Sequence, residues 1–271
     1  MASTSTPTFE EVRKEYDDQA PSYNSLLKLP FGIFESQLFE SAVRRDLFCQ
    51  GSTVLDLGGG TGLRARQALE AGAAKVDVVD ISIEMMEVGM KDTAVLMGPN
   101  ESAKIRWFLG DASKPLFGQG GIAELQASYD VVMANWIFDH VDSLSVLDAI
   151  WRNIAAALRP GGRFIGVRAC DPRTQAMVTG KYGPTCQDFA EFHGGLYYSS
   201  TIPDDSGPPV QLKNASLKIS YTGSSEMYER YGFHRVEIEP CENTKVVRDD
   251  PEYWKLWVEH PGFVIVRAWK K

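Results

Sequence analysis

Val54-Leu55-Asp56-Leu57-Gly58-Gly59-Gly60-Thr61-Gly62 is an apolar run that breaks into four glycines within five residues. It reads as a buried parallel strand opening directly into a ligand loop. Glycine is required in such a loop because a ligand lies against bare backbone and because several residues take positive φ, which disfavours other side chains. Leu63-Arg64-Ala65-Arg66-Gln67-Ala68-Leu69 has helical composition. The loop therefore leads into a helix N-terminus, whose free amides favour electron-rich groups.

Spacing narrows the ligand. A dinucleotide fingerprint needs glycine at the first, third and sixth positions, and counting from Gly58 the sixth is Leu63. That departure disfavours a nicotinamide-dependent oxidoreductase. A second apolar strand, Val76-Asp77-Val78-Val79, closes on Asp80, a carboxylate suited to both hydroxyls of a ribose. Ile105 to Leu109 leads into Gly110-Asp111-Ala112, with Asp111 placed to accept from an exocyclic amine, and Tyr129 to Ala134 leads into Asn135-Trp136-Ile137-Phe138. Polar strand ends at 56, 80, 111 and 135 converge on one sheet edge, where open α/β folds bind ligands.

This ordered set resembles the class I S-adenosylmethionine-dependent methyltransferases over roughly residues 10 to 168 and the last strands. The resemblance implies that Asp56, Gly58, Gly60 and Gly62 cradle the methionine half of S-adenosylmethionine and that Asp80 holds the ribose. Ile81 and Met85 then pack near the adenine, Asp111 with Ala112 reads it, and Asn135 with Trp136 sits beside the transferring methyl. Tyr16 to Asn24 is similar to the tyrosine-spaced N-terminal element of the quinone-methylating (type 11) enzymes, which implies that Tyr16 and Tyr23 fold over the cofactor; alternatively, these rings anchor an N-terminal helix. Leu158 to Val167, with Pro160-Gly161-Gly162, resembles the family's turn and fifth strand. Proline and glycine also independently terminate an amphipathic helix running from about Ser143 to Leu158.

The expected fold is a Rossmann-like α/β domain of seven strands, mostly parallel with a C-terminal antiparallel hairpin, flanked by helices and carrying a lid after the fifth strand. Residues 1–45 form an N-terminal helical cover, 46–169 the cofactor-binding core, 170–222 the lid and acceptor insertion, and 223–271 the last helix and strands. With 271 residues and 44% apolar content, one domain can use the whole length. No apolar run approaches the roughly 20 residues that span a bilayer, and the Ser/Thr-rich start lacks a signal peptide's apolar core. Cys49, Cys170, Cys186 and Cys241 are isolated, without metal or redox spacing, so no metal is expected and a cytoplasmic setting is the simplest.

The net charge of -8 argues against a nucleic-acid acceptor, which demands a basic surface. Asn135-Trp136-Ile137-Phe138 also lacks the Pro-Pro-aromatic signature of enzymes that methylate base nitrogens. The expected activity is in-line methyl transfer to a hydroxyl, amine, thiol or carboxylate of a small organic molecule, such as a secondary metabolite. The alternative is a non-methylating rearrangement or cyclisation on the same fold and cofactor. The insertion offers Phe189, Phe192, His193, Tyr197, Tyr198 and the turn-rich Pro203 to Pro209, either as an acceptor pocket or as a satellite core. A hydroxyl acceptor must lose a proton, and His140, with Asp139 to orient it, is the first candidate base; His193 is the second. The other reading has Asp139 or Asp142 capping a helix and His140 covering the surface.

Overall fold

A computed structural model describes residues 8–125, 127–204 and 207–271. Residues 1–7, and Asp205 with Ser206 of the turn-rich segment, lie outside the described residues, as does the side chain of Leu47. The main sheet has seven strands: β1 (Thr53–Leu57), β2 (Lys75–Asp80), β3 (Ile105–Leu109), β4 (Tyr129–Ala134), β5 (Leu158–Ala169), β9 (Phe233–Ile238) and β10 (Phe263–Lys270). A smaller antiparallel sheet holds β6 (Thr185–Phe192), β7 (Gly195–Ile202) and β8 (Val210–Leu217). The principal helices are α1 (Phe9–Gln19), α2 (Pro30–Arg44), α3 (Leu63–Glu70), α4 (Ile83–Ser102) and α5 (Leu144–Ala157).

Spatial order in the main sheet is β3-β2-β1-β4-β5-β10-β9, with β10 running against both of its neighbours. The antiparallel pair expected at the C-terminus is present, joined through the helices of residues 245–259 instead of a tight turn. Alternation along the strands divides the core in two. Val131 and Met133 face α2, α3 and the Trp254–Trp257 helix, whereas Val132 and Ala134 face α5 and its ring cluster around Trp151. Trp151 stacks on Phe138 with centroids 5.4 Å apart and meets Tyr228 edge-on at 4.8 Å.

Local chemistry sets the helix starts. Thr8 and Glu11 form a reciprocal capping box on α1, Ser82 Oγ accepts the Met85 amide on α4, and Ser143 Oγ accepts the Val146 amide on α5. The cap of α5 is thus Ser143, and neither Asp139 nor Asp142 has that role. The Pro160-Gly161-Gly162 turn lies inside β5 as an irregularity, with Pro160 and Gly161 exposed, Gly161 at φ +72° and a register shift against β4. No helix among the described residues is long and apolar enough to cross a membrane.

Residues 170–222, expected to be the lid and acceptor insertion, contain the whole second sheet. Its alternation is hard to read because the inner face mixes Tyr198, Ser200 and Ile202 on β7 with Leu212 and Asn214 on β8, and all five line a cavity. Strand spacing brings every second residue to one face, and here that face is neither wholly apolar nor wholly polar. The Val141 amide donates to the Ala215 carbonyl at 2.8 Å, fastening the segment after β4 to β8.

Candidate active site

Parallel strands β1, β2, β3 and β4 end at one edge, and a cavity of about 460 Å³ opens there between that edge, α1 and the second sheet. The glycine loop forms one wall. Gly58, Gly60 and Gly62 all have positive φ, and a Cβ at Gly58 would stand 2.2 Å from the Ile137 side chain. Gly62 caps α3 from the left-handed region, with the Trp107 ring 2.4 Å from where its Cβ would be.

Asp80, at the end of β2, is buried and shapes the loop. Its Oδ2 accepts the Gly60 amide at 2.7 Å and its Oδ1 accepts the Ser82 amide at 2.9 Å. Burial pushes its carboxyl above the usual range, and these amides pull it back. Asp111 lies across the cavity, with Oδ1 accepting both the amide (2.7 Å) and hydroxyl (2.6 Å) of Ser113. Ala112 gives its carbonyl to Asn153 Nδ2 at 2.7 Å. Ile81 and Met85 line the same side.

Asn135 and Trp136 follow β4. Asn135 Oδ1 accepts the Val167 amide at 3.1 Å, while its buried Nδ2 has no partner. Trp136 sits in the left-handed region at φ +62°, and its Nε1 donates to Glu35 Oε1 at 3.0 Å. Glu35 is also ion-paired with Arg64, and both line the cavity. Sequence reading missed this pair. The available signal was a carboxylate set within the apolar helix Pro30-Phe31-Gly32-Ile33-Phe34-Glu35.

The N-terminal element closes the cavity. Tyr16 Oη and His140 Nε2 are 2.7 Å apart, Ser82 Oγ donates to Asp17 at 2.6 Å, and Thr61 Oγ1 donates to Asn24 at 2.8 Å. Tyr23 lines the cavity beside Tyr16, their ring centroids 6.1 Å apart. Burial raises both phenols, so they are neutral donors or acceptors.

The family model for a methyltransferase domain matches residues 54–162, the span from the glycine loop through β4 to the Pro-Gly-Gly segment. Over that span the chain is similar to methyltransferase domains, and the fold around it is the Rossmann-like fold of S-adenosylmethionine-dependent methyltransferases. A curated relative, the ubiquinone/menaquinone biosynthesis C-methyltransferase of Caulobacter sp. (strain K31), is 26% identical over 178 residues, covering 61% of this chain and 63% of that protein. The match therefore spans under two thirds of the relative's length. Among solved structures, magnesium protoporphyrin IX methyltransferase from Synechocystis PCC 6803 with bound S-adenosylmethionine superposes at TM-score 0.59 with 14% identity, covering 99% of this chain and 100% of that one. The [4+2]-cyclase SpnF superposes at 0.60 with 16% identity, covering 98% and 97%.

The ligand edge of the sheet fits a sulfonium nucleoside on its own chemistry. The unpartnered Asn135 Nδ2 is a buried donor in need of an acceptor. The glycine wall admits a ligand against backbone, and the carboxylates of Asp80 and Asp111 flank it. Of the residues singled out from sequence, Tyr16, Tyr23, Gly58, Gly60, Asp80, Ile81, Met85, Asp111, Ala112, Asn135, Trp136 and His140 line this one cavity.

Three do not. Gly62 lies behind the loop against Trp107. Asp56 is fully buried beneath Gly59, whose Cβ would lie 2.9 Å from Asp56 Oδ2, and neither Asp56 oxygen has a partner. His193 is exposed at the turn between β6 and β7, away from the cavity. The lid aromatics divide likewise: Tyr198 faces inward, but Phe192 packs on Tyr197 at 4.5 Å, Tyr197 donates to Asp142, and Phe189 is partly exposed. The geometry also corrects the role given to Asp139. Its Oδ1 accepts from Ser216 Oγ at 2.7 Å and Tyr198 Oη at 3.4 Å, so it is held by the second sheet, and the partner of His140 is Tyr16.

Burial without a hydrogen-bond partner pushes Asp56 from 3.8 up to about 8. Between those values the folded protein holds a proton that the unfolded chain has lost, so this group's contribution to stability falls as pH rises from about 4 to about 8. Asp56→Asn is therefore expected to reduce the drop in melting temperature between about pH 5 and about pH 8 by at least roughly 5 °C. Thermal scans of the ligand-free protein at both values check this, and an unaltered drop contradicts a protonated Asp56.

Proposed function

We propose that this protein transfers the methyl group of S-adenosylmethionine to a small organic acceptor. One observation carries the reading: a single cavity joins the glycine loop, Asp80 and Asp111 to the inner face of the second sheet, so cofactor and acceptor can meet without water between them. When bound, the cofactor supplies an electrophilic methyl on a positively charged sulfur. The chain's own work is positioning. Asp80 offers remaining lone pairs to a diol, Asn135 Nδ2 offers a donor, and the Glu35–Arg64 pair presents both charges needed by an amino-acid end. Tyr16 and Tyr23 cover the cavity, and Trp136 is held among Phe31 and Phe263, presenting an apolar wall.

A histidine base has weak support. Burial lowers His140 to about 4, with the Lys213 backbone offsetting part of that fall, and its Nε2 is engaged by Tyr16. A base is most effective when its pKa lies near the working pH. His140→Ala is expected to lower turnover through loss of the Tyr16 contact, while wild-type turnover at saturating acceptor shows no inflection at the ordinary histidine value of about 6.5. A pH–rate profile with such an inflection, abolished in the variant, restores the histidine as base.

The fold is shared with a [4+2]-cyclase, so the reaction itself has to be tested. Incubating the enzyme with methyl-labelled S-adenosylmethionine and a host metabolite extract should yield a labelled small molecule and S-adenosylhomocysteine. A rearranged, unlabelled product without S-adenosylhomocysteine selects the non-methylating reading.

A further inference from the structure

The cofactor reading leaves two lining carboxylates unused, Asp142, which accepts from Tyr197 on β7, and Asp139. Asp139 is 5% exposed, lines the cavity directly after β4, and is fixed from below by Ser216 and Tyr198. We propose that Asp139 determines acceptor specificity, receiving a hydrogen bond or ion pair from an amine or hydroxyl head and turning away carboxylates. This rests on the cavity being the site of methyl transfer.

Two features point to a donor head. The groups that face Asp139 carry no positive charge: Ser216 on β8, Tyr198 on β7, Cys186 on β6, Cys170 after β5 and Tyr16 on α1. A buried carboxylate without a cation is costly, and a bound ammonium or hydroxyl offsets that. The wider lining is acidic as well. Beyond the Glu35–Arg64 pair, Asp80, Asp111, Asp139 and Asp142 face a single lysine, Lys114, so the field inside favours cations over anions. The neighbouring thiols and phenols are all raised by burial and stay neutral near pH 6. Burial raises Asp139 itself to about 6, with Ser216 and Tyr198 holding it down, so it is mostly ionised at neutral pH.

The test uses the full chain saturated with S-adenosylhomocysteine, so that only the acceptor end is open. Binding of benzylamine, benzyl alcohol and benzoate, which share a ring and differ in the head, is measured by calorimetry one pH unit above and one below the Asp139 value of about 6. At the higher pH, benzylamine and benzyl alcohol are expected to bind at least about tenfold more tightly than benzoate, and benzylamine weakens at the lower pH. Asp139→Asn removes both effects while S-adenosylhomocysteine still binds. Ser216→Ala, which takes away one hydrogen bond to the carboxylate, moves the benzylamine midpoint to higher pH. Benzoate binding as tightly as benzylamine, an unchanged preference in Asp139→Asn, an unmoved midpoint in Ser216→Ala, or no binding of either donor probe at millimolar concentration overturns the proposal. Failure of S-adenosylhomocysteine to bind the wild-type protein overturns the methyl-transfer reading instead, so the two failures are distinct.

Discussion

Glu35→Ala is expected to destabilise the fold by about 3–5 kcal/mol, because it strands the Arg64 guanidinium in a buried site and leaves Trp136 Nε1 without its acceptor. That is a large share of the roughly 5–15 kcal/mol that holds a domain together. Arg64 also meets the Gln67 side-chain carbonyl at 2.7 Å and the Phe39 ring at 4.7 Å, and neither a neutral amide nor an aromatic face balances a full charge. Trp136 already occupies the left-handed backbone region, which is maintained only while its surroundings hold it. Denaturant unfolding of the ligand-free protein measures the loss directly. A change under about 1 kcal/mol, the size of an exposed ion pair, shows that water reaches the pair and that its burial has little energetic consequence. Glu35→Gln serves as a companion, since it keeps the volume and the acceptor for Trp136 while removing the charge.

The second large effect is on cofactor affinity. Asp80→Ala deletes a carboxylate that positions the Gly60 and Ser82 amides and faces the cavity where a ribose is proposed to lie. A hydrogen bond to a charged group is worth about 1.5–3 kcal/mol, so the dissociation constant for S-adenosylmethionine is expected to rise by roughly ten- to a hundredfold. Calorimetry on a variant with an unaltered melting transition checks it. The Asp80→Asn variant separates two contributions: it keeps one acceptor oxygen for the loop amides, so an affinity loss there reports on the ligand contact more than on loop geometry. An unchanged constant in both variants removes Asp80 from the cofactor site.

The two predictions differ in how readable their residues were. Asp80 was visible in the sequence because its role is local: a carboxylate at the end of an apolar run, one βαβ unit after a glycine loop, must arrive at the ligand edge of a parallel sheet. The same logic placed Asp111, Asn135 and Trp136, which end the next two strand segments, and all three line the cavity. Glu35 was invisible for the opposite reason. Its partners Arg64 and Trp136 are separated from it by 29 and 101 residues, and nothing within α2 reveals that its carboxylate points inward.

The insertion shows the same division. Its aromatics suggested a pocket, but aromatic content does not say which face of a strand is inward, and one residue of register exchanges the faces. Pairing in the second sheet turned Tyr198 inward with Ser200 and Ile202, and left His193 on an exposed turn. The contacts of Asp139 and His140 depended on docking too. Adjacent in sequence, they part company because β8 offers Ser216 to one while α1 offers Tyr16 to the other.

By itself, then, the order of residues determined the seven-stranded α/β sheet and its ligand edge, since hydrophobic periodicity and strand-end punctuation act over a few residues at a time. Only the tertiary structure decided which carboxylates are paired, which remains open to an acceptor and which histidine meets the cavity. Those outcomes depend on long-range packing between α1, α2 and the second sheet, and burial, offset by the hydrogen bonds that packing supplies, sets the charge state of the groups caught there.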